Sequence, residues 1–296
     1  MADALKSVGE YPSRNDDRPD DGYERHSHNF LKSRLVPTIR LTVAYEGTDF
    51  SGWQVQPGRR TVQEEIETAI HRLTGETVRV QCAGRTDAGV HAIGQVAGFT
   101  SQAGLPPEKW RPALQTQLPD DIVIVDSELA PDDFHATYAT VSKRYRYLIH
   151  NSRVTPPFLR RYVYRVGVPL NVSAMHAAAQ VLLGRQDFRC FETQWPNKAS
   201  SVRTILDLSV RRMSIWPGWS VQPTADPSDD GDFVVLEVEA DGFLYNMVRS
   251  ITGTLLRVGH GVWTTADVTR IVAQGERRNA GETAPPQGLY LVQVRY

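Results

Sequence analysis

Cysteine is nearly absent: Cys82 and Cys190 are the two in 296 residues, far apart and in no CxxC or zinc-knuckle spacing, which argues against a thiolate metal site. So few thiols point to a reduced, cytosolic compartment. No apolar run approaches the roughly 18 residues that a membrane helix needs, and the first residues lack the short apolar core of a signal peptide. A soluble intracellular protein is the expectation. Also missing are a GxxxxGK(S/T) phosphate loop, a GxGxxG after a strand, HExxH and GxSxG, so nucleotide hydrolysis and dinucleotide redox chemistry lose support. Nor is there an excess of one charge: 33 Lys and Arg face 34 Asp and Glu, and the total does not mark a nucleic-acid binder.

The distribution of charge says more. Residues 1–36 carry six basic and seven acidic side chains with no period of 2 or 3.6, and read as a disordered extension. The stretch 224–232 adds Asp226, Asp229, Asp230 and Asp232 with no base. Without these two segments the body holds 27 basic side chains against 23 acidic, which leaves room for a basic face. At 41% hydrophobic and 23% charged the composition is globular, and the length suits two domains of about 100–150 residues.

Structure is expected from Thr38, where Ile39, Leu41, Val43 and Tyr45 alternate with polar or small residues as in a strand buried on one face. Thr61 stands three before Glu64 as a capping box, and Val62, Ile66, Ala69, Ile70 and Leu73 follow at helical spacing as far as Gly75. Strands over 78–82 and 90–99, a short helix over 106–114 and a strand over 122–125 complete a βαββαβ series. A second series runs from 144: strand to His150, helix 173–183 stopped by Gly184, strands 202–213 and 233–240, helix 246–258 stopped by Gly259, a further helix 264–273, and a closing strand 289–296. The segment 216–232 reads as a long hairpin loop. The fold class is α+β, two ferredoxin-like halves with antiparallel sheets, an order that serves RNA-binding modules and small-molecule enzymes alike. The boundaries implied are a tail at 1–36 and domains at 37–140 and 141–296.

Few residues stand out for chemistry. Gly84-Arg85-Thr86-Asp87-Ala88-Gly89-Val90-His91-Ala92 is a glycine-bounded turn between strands with a cation and a carboxylate two apart. By itself Asp87 is better explained as an Asx-turn residue capping its own backbone, and a functional reading needs support from elsewhere. Arg249 sits among Met247, Val248, Ile251 and Leu255, so its half-buried head wants an anion, structural or functional. Tyr145, Tyr147 and Ile149 share a strand face, with Lys143, Arg144 and Arg146 around them. Such residues are core aromatics of an ordinary strand, or a surface that stacks on an unpaired base beside phosphates. No second ligand lies at metal spacing from His91 or His135, which favours structural roles for both. Trp53 and Gln54, after the first strand, suit either a lid or a packing corner.

Taken together, Gly52-Trp53-Gln54, Thr61-Val62-Gln63-Glu64, Ala83 through Ala92, Asp133-Phe134-His135-Ala136, Lys143-Arg144-Tyr145-Arg146-Tyr147, Phe243 through Arg249 and Gly288-Leu289-Tyr290-Leu291 resemble the bacterial tRNA pseudouridine synthase A family. These anchors span residues 38–296 and leave out the tail. The resemblance implies two ferredoxin-like halves facing a basic central cleft, and isomerisation of uridine to pseudouridine at nucleotides 38 to 40 in the tRNA anticodon arm. It further implies a cytoplasmic homodimer with tRNA as partner and neither metal nor cofactor. Asp87 corresponds to the essential carboxylate, Arg249 to its ion-pair partner that keeps it ionised, and Tyr145 to the aromatic packed on the target base, with a weaker claim to C5 proton removal. Arg85 and Lys143 are candidates for phosphate contacts, and Leu289 for the substrate pocket.

The chain departs from the family pattern at Thr137, where most relatives carry arginine after Phe-His-Ala, and in the acidic stretch 224–232. Two other readings compete with this one. A non-catalytic RNA binder on duplicated RRM-like halves would want RNP-like aromatic runs, which are absent, and has no need of Arg85, Asp87 and Arg249. A ferredoxin-like enzyme of small-molecule metabolism would lack the interleaved Arg and Tyr of 143–147.

Overall fold

Alternation from Thr38 builds β1 (Thr38–Tyr45), in which Ile39, Leu41, Val43 and Tyr45 are buried and the residues between them are half-buried. In this computed structural model residues 36–193, 200–216, 218 and 231–296 are described. The expected tail therefore lies outside the described residues up to position 35, as does most of the expected loop and acidic stretch within 216–232. Residues Val36–Tyr296 pack as one compact unit. Among the described residues no helix is long and apolar enough to cross a membrane.

After β1 come α1 (Val62–Thr74), β2 (Gln81–Cys82), β3 (His91–Thr100), α2 (Trp110–Gln115) and β4 (Ile122–Leu129). The chain continues through β5 (Ser142–His150), β6 (Tyr164–Arg165), α3 (Val172–Gln180), β7 (Gly184–Asp187), β8 (Val202–Met213), β9 (Phe233–Ala240), α4 (Met247–Gly259), α5 (Thr265–Gln274) and β10 (Leu289–Arg295). All ten strands join one mostly antiparallel sheet in the order β4-β1-β3-β10-β5-β9-β8-β7, with β2 on β3 and β6 on β5. The seam is parallel: Tyr290 and Leu291 of β10 pair with His91 and Ala92 of β3. That pairing brings the start of β3, and the turn before it, beside the start of β10.

One core unites the helices with one face of the sheet, joining Ile66 and Ile70 of α1, Ile251 and Leu255 of α4, and Tyr145, Tyr147 and Ile149 of β5. A smaller cluster of Leu148, Val163, Met213, Val235, Tyr290 and Val292 fills the other face. Central strands β5 and β9 are thus buried on both sides over most of their length, unlike the one-sided β1.

Several local expectations are revised. Thr61 makes no side-chain cap, so the Thr61–Glu64 capping box is not formed. The chain folds back instead: Val62 N–H donates to Gly52 O at 3.3 Å and Gln63 N–H to Trp53 O at 3.0 Å, so backbone carbonyls satisfy the helix's first donors. A capping box does form at Thr264 and Asp267 of α5. α4 ends with Gly259 as its last residue rather than before it, and a side chain does not fit there, since a Cβ would come within 2.6 Å of Met175 Sδ on α3. Gly184 opens β7 after α3 has already ended at Gln180. Arg144 and Arg146 face away from Tyr145, and are held by carboxylates of β9 and β8 rather than lying around the tyrosines.

Candidate active site

The residues singled out in the sequence come together in one cleft of about 1120 Å³, whose lining includes Asp87, Arg249, Tyr145, Arg85, Lys143 and Leu289. Arg79, Arg85, Lys143, Arg203 and Arg249 line it against the carboxylates Asp87, Glu192 and Asp241, so among the described residues the lining is net cationic. Such a cleft attracts a polyanion.

Asp87 sits at the tip of the turn between β2 and β3. The turn is closed by Val90 N–H donating to Asp87 O at 3.1 Å and gripped from outside by Trp53 N–H donating to Thr86 O at 3.0 Å. Gly52 has a φ of +92°, and a Cβ there would sit 2.7 Å from Thr86 O, so glycine is required for the loop after β1 to reach the turn. Beneath it the Tyr45 and Thr86 hydroxyls lie 2.7 Å apart. Gln95 Nε2 donates to Gly84 O at 2.7 Å. These contacts fix the backbone that presents Asp87.

Arg249 Nη1 stands 3.6 Å from Asp87 Oδ2. The guanidinium is aimed by two other acceptors, Nε donating to Ala284 O at 2.6 Å and Nη1 to Asn246 Oδ1 at 2.7 Å. Asn246, just ahead of α4, takes a left-handed φ of 60° and itself donates to Thr193 Oγ1 at 2.6 Å. Burial pushes the Asp87 carboxyl above its ordinary range, and the Arg249 charge and hydrogen bond offset only part of that rise. The expectation that Arg249 holds Asp87 ionised is therefore only half the balance: desolvation is the larger influence.

Tyr145 is 7% exposed and meets Phe243 edge-on at 5.0 Å. Burial raises its phenol far above the ordinary value, with neighbouring Tyr45 and Asp87 adding to the rise, so the hydroxyl stays neutral at physiological pH and is a poor proton acceptor. Lys143 shares its strand face, and its stem lies against Gly84, where a Cβ would approach Lys143 Cε to 3.0 Å. Arg85 is exposed at the cleft wall, and Leu289 closes the floor at the first position of β10. Thr137 also lines the cleft, its hydroxyl donating to Cys82 O at 2.7 Å.

The two histidines take no part in a metal cluster; among the described residues no group of three or more His, Cys, Asp or Glu gathers as ligands. His91 Nδ1 accepts from Gly47 N–H at 3.0 Å, which places its proton on Nε2 facing Arg161 O at 2.9 Å. Burial lowers its pKa, so a neutral ring ties the turn to the 161 segment. Trp53 is fully buried against Tyr45, while Gln54 lines the cleft. Sequence reasoning missed Asn246 and Ala284 as the holders of Arg249, and Tyr138, Arg79 and Arg203 as lining residues. The run Asn246-Met247-Val248-Arg249 did place an amide one helical turn before the arginine. A backbone carbonyl such as that of Ala284 leaves no mark in sequence.

The family model described as tRNA pseudouridine synthase matches residues 41–139 and 178–296. The tRNA pseudouridine synthase A of Brevibacillus brevis is 44% identical over 258 residues, covering 87% of this chain and 99% of that protein. Those of Acetivibrio thermocellus and Thermoanaerobacter sp. strain X514 are 43% and 42% identical over the same shares of each chain. A chain in the crystal structure of a Cbf5-Nop10-Gar1 complex aligns at a TM-score of 0.31 and 12% identity, over 85% of this chain and 57% of that one. With the match spanning both the Asp87 turn and the Arg249 helix, the chain belongs to the tRNA pseudouridine synthase family, a family of isomerases.

Proposed function

We propose that this protein converts uridine to pseudouridine in the anticodon arm of tRNA, with Asp87 as nucleophile. The observation that carries this reading is the half-buried Asp87 carboxylate 3.6 Å from Arg249 in a net cationic cleft, within segments shared with the relatives. The two strand runs β4-β1-β3-β2 and β10-β5-β9-β8 are read as ferredoxin-like halves, 37–140 and 141–296, meeting at the β3–β10 seam. The protein works as a cytoplasmic homodimer, and its activity is independent of metal and cofactor.

The reaction breaks the bond between N1 and the sugar, keeps the base in the site, turns it and joins C5 to the same sugar carbon. N1 gains a proton and C5 loses one, so no redox equivalent or external energy enters. A carboxylate at Asp87 serves by attacking either the sugar carbon or the base ring. Arg249 orients its oxygens and offsets the cost of an anion in a closed site. Tyr145 packs on the extruded uracil, its phenol kept neutral by burial. Lys143 and Arg85 meet phosphates, and Leu289 gives the base an apolar floor.

The test is incubation of the protein, without added metal or nucleotide, with a tRNA transcript labelled at uridine, followed by mapping of pseudouridine. Product in the anticodon arm is expected; binding without product on any tRNA would move the RNA-binding alternative to first place. Replacement of Arg249 gives a second check. Since Arg249 opposes the burial-driven rise of Asp87, Arg249→Met is expected to move the acid limb of kcat/KM to higher pH and lower its plateau by about 100-fold. An acid limb left in place would show that the two groups are not coupled in turnover.

A further inference from the structure

We infer that Tyr138, backed by His135, is a stacking platform for an unpaired nucleobase next to the target uridine; the inference rests on the reading of the substrate as RNA. Tyr138 is 84% exposed yet lines the cleft, whereas Asp87 and Tyr145 are withdrawn into it. A tyrosine left this open at the mouth of a cationic cleft buries little of its apolar ring within the protein, and an unpaired base offers a flat partner of matching size.

The ring is also held ready. His135 lies 4.2 Å from it between centroids, tilted by 33°. His135 Nδ1 accepts from the backbone N–H groups of both Thr137 and Tyr138 at 3.2 Å, and Ala139 N–H donates to His135 O at 3.0 Å. Two further ties anchor this tight turn to the sheet. Tyr296 Oη donates to Ala136 O at 2.8 Å, and Thr137 Oγ1 donates to Cys82 O at 2.7 Å. Cys82 ends β2, five residues before Asp87, so the platform and the nucleophile's turn hang from one strand and keep a fixed spacing. Fixing the ring beforehand lowers the ordering cost of binding. Thr137 thus serves the platform's position.

The position of Tyr138 decides which base it takes. The extruded uridine fills the withdrawn space beside Tyr145, so a base stacked on the exposed rim belongs to a neighbouring loop nucleotide.

The test measures affinity for an anticodon stem-loop RNA, with wild type, Tyr138→Ala and Tyr138→Phe, while each loop nucleotide flanking the target is replaced in turn by an abasic residue. Tyr138→Ala is expected to weaken binding about tenfold or more, and Tyr138→Phe to bind within about twofold of wild type. At one flanking position the abasic RNA should cost wild type the same factor and cost Tyr138→Ala nothing more. Undiminished affinity in Tyr138→Ala, or losses that simply multiply at every flanking position, would overturn the platform. So would a loss in Tyr138→Phe equal to that in alanine, which would point to the hydroxyl instead. Turnover by wild type in the same samples separates this outcome from failure of the pseudouridine reading, which predicts product whatever Tyr138 does.

Discussion

Asp87→Asn is expected to reduce pseudouridine formation to the uncatalysed background while RNA affinity stays within about twofold of wild type. The amide fills the same space in the turn, and Arg249 keeps its bonds to Ala284 O and Asn246 Oδ1, so the cleft retains its shape. What disappears is the anionic oxygen proposed as the nucleophile, and loss of a nucleophile typically costs several orders of magnitude. A stability effect of opposite sign should accompany it. The folded-state pKa of Asp87 lies above its unfolded value, so the native state binds the proton more tightly than the unfolded chain. Its favourable contribution is complete below the ordinary carboxylate pKa and is lost as pH rises through the raised value. Asp87→Asn escapes that loss, and is expected to melt higher than wild type at neutral pH, with the gap closing in acid. Turnover near the wild-type rate would remove Asp87 from the chemistry. An unchanged melting gap across pH would show that the ion pair with Arg249 matches the cost of burying the carboxylate.

This opposition of stability and activity also shows why parts of the molecule were legible in sequence and others were not. Alternation over β1 and the apolar runs of β8 and β9 mark strands because one or both faces must be buried, and the helical period of α1 and α4 survives for the same reason. By contrast β7, with the sequence Gly184-Arg185-Gln186-Asp187, has no apolar face and owes its extended form to pairing with β8. The Thr61 capping box had the right residues, but the carbonyls of Gly52 and Trp53 reached the helix donors first, which no local pattern records. At the site, Asp87, Arg249, Tyr145, Lys143, Arg85 and Leu289 do share one cleft. Spacing alone did not assign their roles, since Asp87 read better as a turn residue; the resemblance to a known family ranked them. Arg144 and Arg146 were misplaced because their partners Asp207, Glu237 and Glu239 lie far along the chain.

Among those long-range pairs, Arg146–Glu237 supports the largest expected loss of stability. Both side chains are essentially without solvent exposure, at 0% and 1%. They face each other in register across β5 and β9, with Arg146 Nε and Nη2 donating to Glu237 Oε1 at 2.8 and 2.6 Å. Glu237→Ala would take its carboxylate from the buried Arg146 guanidinium, whose register partner on β10 is Tyr290, and the expected cost is about 3–5 kcal/mol in denaturant unfolding. The pair itself need not be a strong net stabiliser, because each charge was dehydrated to form it and Glu237 Oε2 has no hydrogen-bond partner among the described residues. Arg146→Met combined with Glu237→Leu is therefore expected to recover most of the loss, a result that the single variants alone would not reveal. A single-variant cost below about 1 kcal/mol would mean that water or another carboxylate reaches Arg146 when Glu237 is gone. Because β5 also carries Lys143 and Tyr145 on its opposite face, the same variant should weaken RNA binding as the strand loosens, while the repaired double variant regains affinity and stability together.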